Sequence, residues 1–346
     1  MAARTEKSTA KAKNVAPNPA KTAALAAATP GKSISKMEKA AASAADAPAA
    51  GGLILSPRGA KSAKSATAPP ARQKPSRVPT ASTRAPLSPK PKPKTIEERT
   101  AEAEVRLQRQ SEAFRAAYQA RFDMSWIYHD SALEGSVYNE IELRTALDPE
   151  ATLIPDSSLQ PICEEIRRHR EAIHYCREMA TKKRQLLTVD TFKKIYLILH
   201  PEEGDLKTVK YRKDIPQHRL YFHEYGAPDK IAHKVRQAVD WLNDPEARKG
   251  RSPMRMAARV HYDLIRVFPF QQDSGKTARL FMNLLLMRAG YPPAIIHSTE
   301  RQRYYEALKG SAVTITGMVA EALDNALSSI EKMLDEHETR TRAFIA

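Results

Sequence analysis

Aromatic side chains are missing from the first quarter of this chain. Between Met1 and Lys94 there is no Phe, Tyr or Trp, and Ala, Ser, Pro, Lys and Thr dominate. Such a segment cannot bury enough apolar surface to offset the entropy of ordering it, so a disordered tail is expected over residues 1–94. Acidic residues are scarce there too. Its 18 Lys/Arg against 3 Asp/Glu account for +15 of the chain's net +16, which leaves the remainder nearly neutral. The basic character therefore belongs to the tail. A Lys-rich tail of this kind points to non-specific contact with nucleic acid or an acidic surface through counterion release; the balance of the rest gives no sign of a basic nucleic-acid face.

Cysteine is nearly absent. Cys163 and Cys176, the only two, lie thirteen residues apart in one helical stretch, too far along a helix to bridge. No disulfide framework and no zinc-ligand spacing result, which points to a reducing, cytoplasmic setting. Long apolar runs are also missing: nothing approaches the roughly 20 residues of a membrane span. The start has no signal-peptide core, since Leu53, Ile54 and Leu55 come too late and in too short a patch. A secreted effector delivered without a Sec signal is the alternative expectation.

From Thr95 onward aliphatic and aromatic residues recur with helical spacing. Pro-Lys alternation up to Lys94 reads as a stiff linker, and Thr95 with Glu98 as a capping box. One helix is expected to carry Ile96, Val105, Phe114, Tyr118 and Phe122. Further helices are expected over about 125–134, 139–147, 160–182, 190–200, 228–243, 253–267, 274–289, 300–313 and 315–337. Only 207–225 resists a helical reading. Val209, Tyr211, Leu220, Tyr221 and Phe222 flank a polar turn there, so a short β-hairpin is expected. The fold class is thus all-α with one β-hairpin excursion. The expected division is a tail over 1–94, N-terminal helices over 95–150, a core over 151–337 and a C-terminal tail over 338–346.

The segment from Phe268 to Arg279 carries the chemistry. An apolar Pro-containing turn leads to a polar loop, and a strongly apolar helix comes next, stopped at Gly290. A helix N-terminus presents unpaired N–H groups and the positive end of the dipole, which favour an anion. Gly275 permits close backbone approach, and Lys276 and Arg279, spaced i, i+3, could both reach a phosphate, with Ser274 beside them as a further candidate for binding it. Ser274 to Thr277 shares its letters with the end of a P-loop, but the earlier Gly and the leading strand are absent.

This segment resembles the signature loop of the Fic (Fido) family, His-Pro-Phe-x-Asp/Glu-Gly-Asn-Gly-Arg-x-x-Arg. The resemblance extends to His261-Tyr262 before it, and to Asn283–Leu286, Gly290–Pro293 and Tyr304–Leu308 after it. Lys210–Lys213 is similar to the segment entering the family's target-binding flap, which nominates Tyr211 and Arg212. Ser131–Gly135 is similar to its autoinhibitory helix, which nominates Glu134 as a regulatory partner of Arg279. The resemblance implies AMP transfer from ATP to a protein hydroxyl, with the motif His as base and the acidic residue holding Mg²⁺.

At the decisive positions this chain differs. Phe268 stands at the His position and has no proton-accepting atom; Gln272 stands at the acidic position and is a poor Mg²⁺ ligand. Asp273 replaces the first Gly, Ser274 the Asn and Lys276 the first Arg. Loss of a general base costs about 10²–10⁴ in rate. Three readings stay open: a pseudoenzyme that still binds a nucleotide or phosphorylated ligand, a transferase rebuilt around Asp273, and an active adenylyltransferase. A module that binds a protein target through the cleft and flap stands beside them. His129, His200, His218, His223, His233 and His297 form no metal-ligand spacing. His223 and Glu224 fall on the flap, and Trp126 and Trp241 read as core.

Overall fold

The computed structural model describes residues 93–148, 158–216 and 224–345. The chain divides between Ala85 and Pro86. The first unit lies wholly outside the described residues, as does nearly all of the segment read as a disordered tail. The described residues all belong to the second unit.

Eleven α-helices are found among the described residues. They are α1 (Ile96–Gln108), α2 (Glu112–Glu134), α3 (Glu140–Leu147), α4 (Gln160–Thr181), α5 (Val189–Leu199), α6 (Ile231–Asn243), α7 (Pro245–Arg248), α8 (Pro253–Val267), α9 (Ser274–Arg288), α10 (Arg301–Lys309) and α11 (Ala312–Ile345). Thr95 caps α1 through the expected box with Glu98. The single helix expected from Ile96 to Phe122 is in fact broken. Ser111 accepts from the Phe114 N–H at 3.2 Å and starts α2, which then runs unbroken through the segment expected to begin at 125. At the other end α11 continues past 337 to Ile345, into the stretch read as a C-terminal tail.

The expected hairpin over 207–225 is not seen. Among the described residues there is no strand: 207–216 and 224–227 are turn and irregular chain, and 217–223 lie outside the described set. The reason is where the backbone groups go. The Arg212 N–H donates to the Pro269 carbonyl at 3.0 Å and the Gly226 N–H to the Arg266 carbonyl at 3.1 Å. These two backbone N–H groups of the excursion bond to the end of α8 and the chain after it.

Helix α9 is the axis of the core. Every residue from Ser274 to Leu286 is buried, the polar Ser274, Lys276, Thr277, Arg279 and Asn283 included. It packs against α8, α4, α5 and α2, while α11 covers α8 and α1 lies along α11. A satellite cluster of Ala103, Leu327, Ile330 and Leu334 joins α1 to α11. Trp126 is buried in the main core; Trp241, also read as core, is only partly so. No helix among the described residues is long and apolar enough to cross a membrane.

Candidate functional site

Helix α8 feeds the loop through Phe268 and α9 leaves it through Asp273. Both have left-handed backbones, with φ of 49° and 47°, and they are the two non-glycine residues of positive φ among those described. Asp tolerates that region; a bulky Phe does not, and such strain concentrates where a structure over-determines a site. Here the determinants are visible. Ser274 accepts from the Phe270 N–H at 2.7 Å and donates to the Phe270 carbonyl at 2.9 Å. Asp273 does not cap α9 with its side chain; its carbonyl accepts from the Thr277 N–H and hydroxyl, both at 2.8 Å.

The Phe268 side chain is buried, its ring centroid 4.7 Å from that of Tyr225. Its carbonyl accepts from Arg212 Nε at 2.6 Å. Arg212 is buried too. Its guanidinium also donates to the carbonyls of Asp214, Gly226 and Val267. It therefore ties the flap limbs to the loop and does not face outward. Tyr211 packs its ring 5.6 Å from Phe270, with Lys193 Nζ 5.1 Å above it; burial pushes its hydroxyl up to about 12. Gln272 is exposed.

The loop's charges close on one another. Asp273 Oδ1 lies 3.2 Å from Lys276 Nζ, and Asp273 Oδ2 lies 3.0 Å from His200 Nε2. Burial opposes the Asp273 charge, but Lys276 and His200 outweigh it and hold the carboxyl well below its usual range. Lys276 is almost fully buried and reaches Glu165 at 3.4 Å. Burial opposes its charge as well; Asp273 and Glu165 outweigh that and raise its pKa. His200, at the end of α5, also bonds Glu202 at 2.8 Å through Nδ1. Burial would lower its pKa, but the two carboxylates raise it.

Arg279, one turn further along, is held by α2. Nε bonds the Asp130 carboxylate, Nη2 the Asp130 carbonyl at 3.2 Å, and Nη2 also meets Glu134 Oε1 at 2.8 Å. The guanidinium lies 5.9 Å from the Tyr304 ring centroid. His169 Nε2 is 3.2 Å from the far oxygen of Asp130. Burial would raise Asp130, but Arg279 and then His169 outweigh it and lower its pKa. Gly135, at φ 104°, ends α2 directly after Glu134.

The structure thus joins Lys276 to Asp273 and Arg279 to Glu134, and it leaves Gln272, Phe268, Tyr211 and Arg212 outside both ion networks. Sequence reasoning missed three members: Asp130 as a second anchor of Arg279, Glu165 beside Lys276, and His200 on Asp273. No local pattern marks His200, which is 73 residues from its partner. Asp130 does carry a signal, one helical turn before Glu134 on the same face.

Residues 186–286 match the Fic/DOC family model. Over those residues the chain is similar to the Fic/DOC family. Among curated relatives, the protein adenylyltransferase Fic of Nematostella vectensis is 32% identical over 184 residues, covering 53% of this chain and 42% of that protein. Protein adenylyltransferase fic-1 of Caenorhabditis elegans is 28% identical over 193 residues, 53% of this chain and 35% of that protein. The chain thus spans less than half the length of these relatives. Among solved structures, a Fic domain-containing signalling protein of Bacteroides thetaiotaomicron superposes with a TM-score of 0.57 at 20% identity, covering 68% of this chain and 98% of that one. The C. elegans Fic-1 structure gives 0.56 at 22%, covering 68% and 69%. The Fic fold is therefore shared.

Proposed function

We propose that this Fic domain no longer performs ordinary AMP transfer from ATP to a protein hydroxyl, and that its altered loop retains a binding role toward a nucleotide or other phosphorylated ligand. The observation that carries this reading is the side chain at 268. The family resemblance puts the general base there; a Phe buried against Tyr225 offers a hydroxyl no proton acceptor. Lys276 and Arg279 at the start of α9 support the binding role, since both are cations beside a helix N-terminus. In this conformation each is engaged by carboxylates, so a phosphate must displace Asp273 from Lys276.

The Mg²⁺ that the resemblance implies does not fit the donors present. Gln272 offers an exposed amide, and both oxygens of Asp273 are committed to Lys276 and His200. No metal-bound step is part of this reading.

A second reading, an active transferase with its chemistry moved to Asp273, draws support from the Asp273–His200 contact and from the adenylyltransferase names of the relatives, which also support a protein target. Labelled ATP separates the two. The first reading predicts no labelled protein from the native chain, alone or with a lysate. It predicts label once Phe268→His, Gln272→Asp, Asp273→Gly, Ser274→Asn and Lys276→Arg rebuild the loop and the α2 carboxylates are removed. Robust labelling by the native chain, abolished by Asp273→Ala, would establish the second. Calorimetry showing no nucleotide binding to the full chain, with or without Mg²⁺, would remove the binding role and leave a protein-interaction module.

A further inference from the structure

At the C-terminal end of α9, roughly 20 Å along the helix from the loop, a cavity of about 470 Å³ is lined by Lys183, Arg184, Arg248, Arg251 and Arg288. No carboxylate lines it, and none of the five forms an ion pair among the described residues. The domain's near-neutral balance conceals this, because five uncompensated cations are gathered in one place.

Their placement has a structural cause. The C-termini of α4, α6, α7 and α9 converge here, and helix C-termini attract cations. Arg248 Nε donates to the Leu242 carbonyl at 3.0 Å, Arg251 Nη1 to the Ala247 carbonyl at 2.6 Å, and Arg288 Nη2 to the carbonyls of Lys183 and Gln185. Carbonyl dipoles carry only partial charge, so the full charges remain. Arg288 Nη1 is buried with no hydrogen-bond partner among the described residues. Burial, and then the neighbouring Arg248 charge, lower the Arg288 pKa, which shows the crowding. The lining also has an apolar side in Leu187, Leu242, Met256 and Leu285, and Leu186 at the rim is 62% exposed.

We propose that this cavity is a binding site for a small molecule that carries a phosphate group on an apolar body. Several arginines and an unmatched guanidinium N–H suit the multiple acceptors of a phosphate. The leucines and Met256 suit the attached carbon chain, and the volume is within the range of small-ligand pockets. The site is separate from the loop, and its failure would leave the proposed function untouched.

Trp241 provides the readout, because the Arg251 guanidinium lies 5.9 Å from its ring centroid. The other tryptophan, Trp126, is buried in the core, and residues 1–94 contain none, so anions on the tail are silent. The full chain is titrated with hexyl phosphate and, separately, with inorganic phosphate. The expected result is a saturable fluorescence change with hexyl phosphate, and binding of inorganic phosphate about fivefold weaker or more, for loss of the apolar contact. Lys183→Gln with Arg184→Gln removes two cations whose side chains make no hydrogen bond among the described residues, and should weaken hexyl phosphate about tenfold. A thermal melt confirms that the variant is folded. No saturable response, an unchanged affinity in the folded variant, or equal affinity for the two phosphates would overturn the proposal.

Discussion

Replacing Arg279 with Gln tests the closed state of the site most directly. Arg279 is the one guanidinium between two carboxylates of α2, Asp130 and Glu134, and all three side chains are largely withdrawn from water. Breaking a buried pair by removing one partner costs about 3–5 kcal/mol, because the other charge stays buried. For a folded part of this size, 1 kcal/mol moves Tm by about 2–4 °C, so Arg279→Gln should lower Tm by about 6–20 °C at pH 7.5. Adding Asp130→Asn removes one orphaned charge and should return a large part of the loss, giving a coupling of about 2 kcal/mol or more in the double-mutant cycle. The pH dependence should reverse as well. In the native protein Asp130 has a depressed pKa, so its contribution is present above the unfolded value, near 4, and is lost as pH falls through the folded value. Without Arg279, burial raises the carboxyl pKa, and the variant's deficit should shrink as pH drops from 7.5 to 5. Melts monitored by circular dichroism at 222 nm at both pH values provide the measurement. A deficit under 1 kcal/mol, or a double variant no better than Arg279→Gln, would refute the argument.

His200, whose pKa is raised by Asp273 and Glu202 against the effect of burial, stabilises the fold fully below about pH 6.5 and loses that effect as pH rises through its folded value. His200→Gln should flatten the Tm-against-pH curve between 6 and 9; an unchanged slope would contradict it. Asp273→Gly removes the resident anion beside Lys276 and should tighten nucleotide binding about tenfold or more by calorimetry, since hydrogen bonds to charged groups are worth about 1.5–3 kcal/mol; no gain would count against the loop as a phosphate seat. In the rebuilt-loop background Glu134→Gly alone should leave AMP labelling weak, because Asp130 still holds Arg279; Asp130→Ser should be needed too. Deleting residues 1–94 should abolish any salt-sensitive nucleic-acid binding in a filter assay, and retention by the truncated chain would show that the tail is not its source.

Most helices were legible because their signals are local. Thr95 and Gly290 mark ends, and apolar spacing marks the interiors. The break before α2 was missed because apolar residues continue across it, and only the Ser111 cap distinguishes two helices from one. The hairpin is not seen among the described residues. Apolar residues flanking a polar turn at 207–225 suggested strands, but the N–H groups of Arg212 and Gly226 bond carbonyls at 266–269, a partner that no window of sequence contains. The same division runs through the site. The Glu134–Arg279 contact was legible from the resemblance. Glu165 and His200 were not, because their approach to α9 depends on how α4 and α5 pack against it.

The two ends of α9 differ in how their charge is met, and that difference bears on where a ligand is to be sought. At the N-terminal end Lys276 meets Asp273 and Glu165, and Arg279 meets Asp130 and Glu134. Each cation there has two carboxylates, so an incoming anion must exchange with groups already in place. Asp273 contributes to this at Lys276, its carboxylate lying 3.2 Å from Nζ beside the N-terminus of α9, where an anion is favoured. At the C-terminal end, among the described residues, Arg248, Arg251 and Arg288 are met only by carbonyl oxygens, Lys183 and Arg184 make no side-chain hydrogen bond, and one buried guanidinium N–H of Arg288 has no partner. Binding there displaces no resident carboxylate. On electrostatic grounds the end marked by the motif is therefore the harder of the two for an anion to enter, and the end with no motif is the easier.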